Sequence, residues 1–105
     1  MLTNIDLIIN KPEFNDFCKK HEIIELSVFG SILRDDFNAD SDIDFLVTFG
    51  EKSKHTLFDS VRMQEELQTI LGLPVDFVSK KAIEKSSNYF RKKAILEHTK
   101  VIYAA

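Results

Sequence analysis

In the run Val28-Phe29-Gly30-Ser31-Ile32-Leu33-Arg34, an apolar stretch ends in a glycine, a hydroxyl and, three residues on, a guanidinium. Ten residues separate Ser31 from Asp42, and Asp42-Ile43-Asp44 then opens a second apolar stretch. Glycine lets a backbone approach a phosphate closely. Ser31 adds a hydroxyl and an N–H at the start of a helical turn, where anions are stabilised. Arg34 offers a charge-assisted contact to phosphate. Asp42 and Asp44 share a strand face, about 6.5–7 Å apart along it. Such oxygen ligands suit a hard cation, and with phosphates completing the shell the ion is Mg²⁺. The pair can share one ion or hold two, and two ions stabilise both oxygens of an in-line displacement. The chemistry on offer is metal-assisted phosphoryl or nucleotidyl transfer.

A third carboxylate would complete such a site, and Asp76 is the acid that lies within an apolar run on another strand. From there it could bind metal and accept the proton of an attacking hydroxyl. Each piece has a plainer reading by itself. Asp-x-Asp at a strand start is often a loop-end cap, Gly-Ser is a common turn, and Asp76 could be a salt-bridged strand acid. Residue type, order and context agree only when the three are taken together. Asp35, Asp36 and Asp40 read as solvated loop acids. Lys80, Lys81 and Lys85 read as a solvated connection, and Arg91-Lys92-Lys93 as an exposed helix face that could also meet an acidic partner. His21 has no second ligand at helical or strand spacing, so it reads as a capping or surface histidine.

The elements that position these groups follow from hydrophobic periodicity. Leu2, Ile5, Leu7, Ile8 and Ile9 predict a short helix over 2–9, broken by Asn10-Lys11-Pro12. Pro12 can open a second helix whose buried face carries Phe14, Phe17 and Cys18. Ile23 to Phe29 predicts a strand in which Ile24, Leu26 and Val28 alternate with Glu25 and Ser27. After the Ile32–Arg34 turn and a polar loop to Ser41, Ile43, Phe45 and Val47 mark a second strand. Phe49 to Lys54 predicts a turn. A helix over 55–71 follows, with Leu57, Phe58, Val61, Met63, Leu67, Ile70 and Leu71 as its apolar stripe, interrupted by Gln64 and Gln68. Gly72 and Pro74 stop it. Val75 to Val78 is a third strand, Lys80 to Lys85 a connection, and Ser86 the cap of a last helix over 87–98 with Phe90, Ala94 and Ile95 inward. Val101-Ile102-Tyr103 is a fourth strand or a packed tail. The helix between strands two and three makes that pair parallel by a right-handed crossover. The short loop between strands one and two leaves them antiparallel. The expected fold is a mixed α/β one: a small three- to four-stranded mixed sheet backed by helices.

A chain of 105 residues, 44% hydrophobic with nine Phe, suits one domain over 1–105 with a real core. A formal charge of -3 argues against a nonspecific nucleic-acid binder. The single cysteine, Cys18, has no internal partner, which fits a cytoplasmic protein. The N-terminus has neither the basic start nor the apolar length of a signal peptide, and no run approaches membrane-spanning length.

Gly30-Ser31 followed by Asp42-x-Asp44 resembles the signature of the DNA polymerase beta-like nucleotidyltransferase superfamily. Phe29-Gly30-Ser31-x-x-Arg34 with Ser41-Asp42-Ile43-Asp44-Phe45-Leu46-Val47 looks like its smallest branch, the minimal nucleotidyltransferases (MNT antitoxins) of prokaryotic toxin–antitoxin pairs. Leu73-Pro74-Val75-Asp76-Phe77-Val78 matches that family's third-acid strand, and the likeness runs from about Phe14 to Ile102-Tyr103. The resemblance implies the polymerase beta-like fold and a Mg²⁺- and ATP-using enzyme, with two ions expected. It implies a hetero-oligomer with a HEPN-domain toxin, an all-helical ribonuclease neutralised by AMP placed on a tyrosine hydroxyl. Carried onto this sequence, Asp42 and Asp44 hold metal, Asp76 completes the site, and Gly30 and Ser31 hold the triphosphate. Arg34 matches the family's frequent arginine. Asp35 departs from the pattern, standing where a small residue is common and adding negative charge beside the phosphate turn. Other readings are an antitoxin that blocks its toxin by contact alone, and nucleotidyl transfer to a small molecule or an RNA end. The latter enzymes generally need a further acceptor-holding domain. No direct nucleic-acid or membrane partner is expected.

Overall fold

The computed structural model describes residues 4–34, 37–38, 40–50 and 57–105. Helices α1 (Asn4–Ile9) and α2 (Pro12–Lys20) lead into strand β1 (Ile23–Phe29), a 3₁₀ turn (Gly30–Leu33) and strand β2 (Ile43–Phe49). Helix α3 (Leu57–Leu71), strand β3 (Val75–Ser79), helices α4 (Lys80–Glu84) and α5 (Tyr89–Leu96) and strand β4 (Thr99–Ala104) complete the order. The sheet runs β3-β2-β1-β4. β1 is antiparallel to β2 and β4, and β2 is parallel to β3, as the helical crossover between them requires. The mixed α/β fold read from the sequence is the one observed.

Both sheet faces are covered. On one, α1, α2 and α3 bury Phe14, Phe17, Cys18, Met63 and Leu67 against Leu26, Val28, Ile43, Phe45 and Val75. Burial pushes the Cys18 thiol up to about 12, so it is a packing group with no thiolate character. On the other face, α4 and α5 set Ile83 and Ile95 over Leu46, with Phe29, Val78 and Leu96 at the margin. Among the described residues no helix is long and apolar enough to cross a membrane.

Several local expectations change. The alternation in β1 is offset by a register shift between Ile23 and Glu25, so Ile23 is buried and Ile24 is 44% exposed. Ser27 is buried rather than solvated, because the second sheet face is covered too. The expected connection over Lys80–Lys85 contains α4 instead. Ser79 Oγ accepts a hydrogen bond from Ala82 N (3.3 Å), and good helix formers follow it. Helix α5 starts at Tyr89, later than expected, because Asn88 and not Ser86 caps it, accepting from Arg91 N at 3.1 Å. Its inward stripe then carries Ile95, while Phe90 is 83% exposed and Ala94 is exposed. In α3, Met63 and Leu67 face the core, but Phe58 and Val61 face outward. The segment Val101–Tyr103 is a strand, paired to β1 within β4. The expected helix start at 2–3, loop acids Asp35 and Asp36, turn 51–54 and helix start at 55–56 lie outside the described residues.

Candidate active site

Three β-ladders align one row across the sheet. Thr99 pairs with Phe29, Phe29 with Asp44, and Asp44 with Asp76. Residues directly opposite on neighbouring strands point to the same face, and neighbouring strands lie about 4.8 Å apart. The row therefore brings Asp44 and Asp76 side by side, though thirty-two positions separate them in sequence. The next row on that face, Val101–Ser27–Leu46–Val78, lies beneath the α4–α5 layer. The acids thus occupy the rim of the sheet just beyond a buried patch. Parallel pairing enforces this, with Ile43 N donating to Pro74 O at 2.9 Å at the start of the β2–β3 ladder.

Asp42 precedes β2 by one residue, so the expected strand pair is one loop-end acid and one strand acid. Ser31 Oγ donates to Asp42 O at 3.4 Å, tying the 3₁₀ turn to that loop end. Gly30 has φ +77°, the left-handed region. A Cβ at Gly30 would overlap Asp44 Oδ2 and lie 3.2 Å from its Cγ. Glycine is thus required twice, by backbone conformation and by contact with the carboxylate. Asp42 and Asp76 are exposed and Asp44 is half-buried.

Arg34, Asp42 and Asp76 all act on the charge of Asp44. Burial, then the neighbouring charges of Asp76 and Asp42, push the Asp44 carboxyl above its ordinary range, and Arg34 opposes them. Gly30, Ser31, Arg34, Asp42, Asp44 and Asp76 therefore come together at one end of the sheet. Like-charged carboxylates around a half-buried one are the arrangement that a divalent cation relieves, and all-oxygen donors suit Mg²⁺. Among the described residues, no three acidic, histidine or cysteine side chains are already gathered into a ligand set. The backbone makes the acids neighbours without closing them into a cage.

Two supporting residues escaped the sequence reading. Gln68 Oε1 accepts from Val75 N at 3.1 Å, and Gln64 Oε1 from Phe77 N at 3.2 Å. Their i, i+4 spacing on α3 matches alternate N–H groups on the outer edge of β3, the strand that carries Asp76. The available signal was two amides within an otherwise apolar stripe. His21 caps α2 but is largely enclosed rather than at the surface. Its Nε2 lies 2.8 Å from Glu66 Oε2, and its ring packs on Phe17 with centroids 4.7 Å apart. Lys80 reaches Glu25 at 3.4 Å, at the opposite end of the sheet from the acids.

This chain belongs to the nucleotidyltransferase domain family, whose model matches residues 11–102. A Methanocaldococcus jannaschii chain described as a candidate protein adenylyltransferase is 36% identical over 78 residues, covering 74% of this chain and 75% of that one. A solved candidate minimal nucleotidyltransferase is 28% identical with a TM-score of 0.68, over 94% of this chain and 95% of that one. A chain in the complex of a tri-AMPylated Shewanella oneidensis HEPN toxin with its MNT antitoxin shares the fold at a TM-score of 0.60 and 16% identity, over 96% of this chain and 73% of that one.

Proposed function

We propose that this chain is an antitoxin-type protein adenylyltransferase. It moves AMP from ATP to a tyrosine hydroxyl of a HEPN-domain ribonuclease, releasing pyrophosphate, and thereby neutralises it. The observation that carries the reading is the row that sets Asp44 beside Asp76, with Gly30 turned against Asp44. The family match and the adenylyltransferase relatives support the reaction class. The AMPylated toxin in a complex of like fold supports the acceptor.

In this mechanism Gly30 and Ser31 hold the triphosphate through backbone approach and hydroxyl, and Arg34 adds a charge-assisted contact. Asp42, Asp44 and Asp76 would hold Mg²⁺. When bound, the ion offsets the charge of the phosphates and of the three carboxylates. Asp76, exposed at the rim, accepts the proton of the incoming hydroxyl. Residues 1–105 act as one domain, and the partner brings the acceptor.

The test is intact mass of the HEPN-domain protein from the same genome after incubation with this chain, ATP and Mg²⁺. Added AMP masses, absent with Asp42→Ala/Asp44→Ala and with EDTA, are the expected result. Full toxin inhibition by that variant, with no mass added by the wild type, would replace transfer with blocking by contact.

A further inference from the structure

The charge of this chain is divided unevenly. Residues 80–100 contain seven Lys or Arg and two Asp or Glu, whereas the rest of the chain contains seven and fifteen. A protein with formal charge -3 thus carries a cationic segment of net +5, formed by α4, α5 and the start of β4, on a remainder of net -8. The layer also exposes aromatic surface. Tyr89 is 64% and Phe90 83% exposed, their rings meet edge-to-face with centroids 5.8 Å apart, and Lys93 Nζ lies 6.0 Å from the Tyr89 centroid. Arg91 and Lys93 are exposed on the same short helix.

Helix α5 has no core-packing use for these rings. It is held down by Ile95 and, at the margin, Leu96. Those residues pack on Leu46 and Phe29, and Phe29 stands in the same cross-strand row as Asp44 and Asp76. The layer therefore adjoins the acids on one face of the sheet. Exposed Tyr and Arg with depleted acidic residues is the composition of a binding hot spot.

We propose that the α5 face, centred on Tyr89, Phe90, Arg91 and Lys93, is the docking surface for the protein that supplies the acceptor hydroxyl, and that this protein meets it with a carboxylate-rimmed apolar surface. The proposal rests on the transferase reading above. Charge complementarity selects the partner. A cationic, aromatic helix attracts an acidic protein surface and raises its encounter rate. Continuity with the acid row delivers that protein to the site. A long polyanion fits less well, because beyond the α5 face its charge would run over the net -8 remainder of the chain, whereas a protein's carboxylate rim ends with the face.

Binding of the HEPN-domain protein should be measured at low and high salt for the wild type, Arg91→Glu/Lys93→Glu, Tyr89→Ala/Phe90→Ala and Asp42→Ala/Asp44→Ala. All four altered α5 side chains are exposed, and thermal melts establish that each variant is folded. Both α5 variants are expected to bind at least tenfold more weakly, and wild-type affinity to fall with salt. The Asp42→Ala/Asp44→Ala variant should bind like the wild type while transferring no AMP. Affinity of both folded α5 variants within twofold of wild type overturns the docking surface, even if wild-type transfer proceeds. So does loss, in these variants, only of binding to a single-stranded RNA 20-mer or only of self-association. Wild-type protein that binds the HEPN protein but never modifies it overturns the transferase reading and leaves the docking surface to the affinity measurements. A wild type that neither binds nor modifies it overturns both.

Discussion

Gly30 decides more at this site than its size suggests. Its φ of +77° and the overlap that any Cβ would make with Asp44 act at the same point. Gly30→Ala should destabilise the fold by about 1–2 kcal/mol, the scale of left-handed backbone strain in an L residue. It should also slow AMP transfer by about 100-fold, as misplacement of a reacting group by an ångström does. Chemical melts and the mass assay read the two effects separately. Asp44 makes a pH prediction. Its carboxyl titrates higher folded than unfolded, so the folded state holds that proton more tightly. The resulting stability is full below the ordinary aspartate range and is lost as pH rises through the raised value. In metal-free protein at neutral pH, ionised Asp44 is therefore a source of repulsion. Asp44→Asn should raise stability there, by less than about 1 kcal/mol after solvent screening, and the gain, read by urea unfolding, should vanish on acidification. Asp76 is exposed and costs the fold little. Asp76→Asn should abolish transfer without lowering the thermal melt, and near-normal transfer would remove it from the site.

At the scale of elements, α3 does two tasks. Met63 and Leu67 face the core, and Gln64 and Gln68 close the outer edge of β3. An edge N–H left without its acceptor costs about 1–3 kcal/mol. Gln64→Leu/Gln68→Leu should lower stability by that order and speed hydrogen exchange at Val75 and Phe77. Transfer should fall as well, because β3 positions Asp76. A second tie joins α2 to α3. Burial alone would raise the Glu66 carboxyl, but hydrogen bonds and charge from His21 and Lys20 outweigh it and hold it low. Such a group adds stability above its unfolded range and loses it as pH falls through the folded value. Glu66→Gln should therefore lower stability at pH 7 by about 0.2–1 kcal/mol, the worth of a half-exposed pair. In acid the two proteins should melt alike.

Across the whole molecule, the sheet separates a core from a working face. The α1–α2–α3 side carries most of the buried apolar volume, and Leu67, fully buried there, should cost about 2–5 kcal/mol as Leu67→Ala by urea unfolding. The α4–α5 side buries little, and its rim is given to the acids and the cationic helix. The directions of β1, β2 and β3 were legible in the sequence, since loop lengths allow antiparallel β1–β2 and a helical crossover makes β2–β3 parallel, but the place of β4 beside β1 was not. The outward faces were less so. Phe58 and Phe90 read as core residues by type and spacing, yet both point out. Periodicity says that a face is apolar and cannot say whether an element is packed against it.

What the sequence determined alone was local. Gly30 could let the backbone approach a phosphate, Asp42 and Asp44 could act as a pair, and Asp76 could belong to a strand. Those are properties of residue type and of spacing over a few positions. Only the tertiary structure decided that Asp44 and Asp76 share one row, that a carboxylate leaves Gly30 no room for a Cβ, and that α3 closes the strand bearing Asp76. These are proximities between distant parts of the chain. The parallel β2–β3 ladder fixes their register, and the buried core on the opposite face holds that ladder in place.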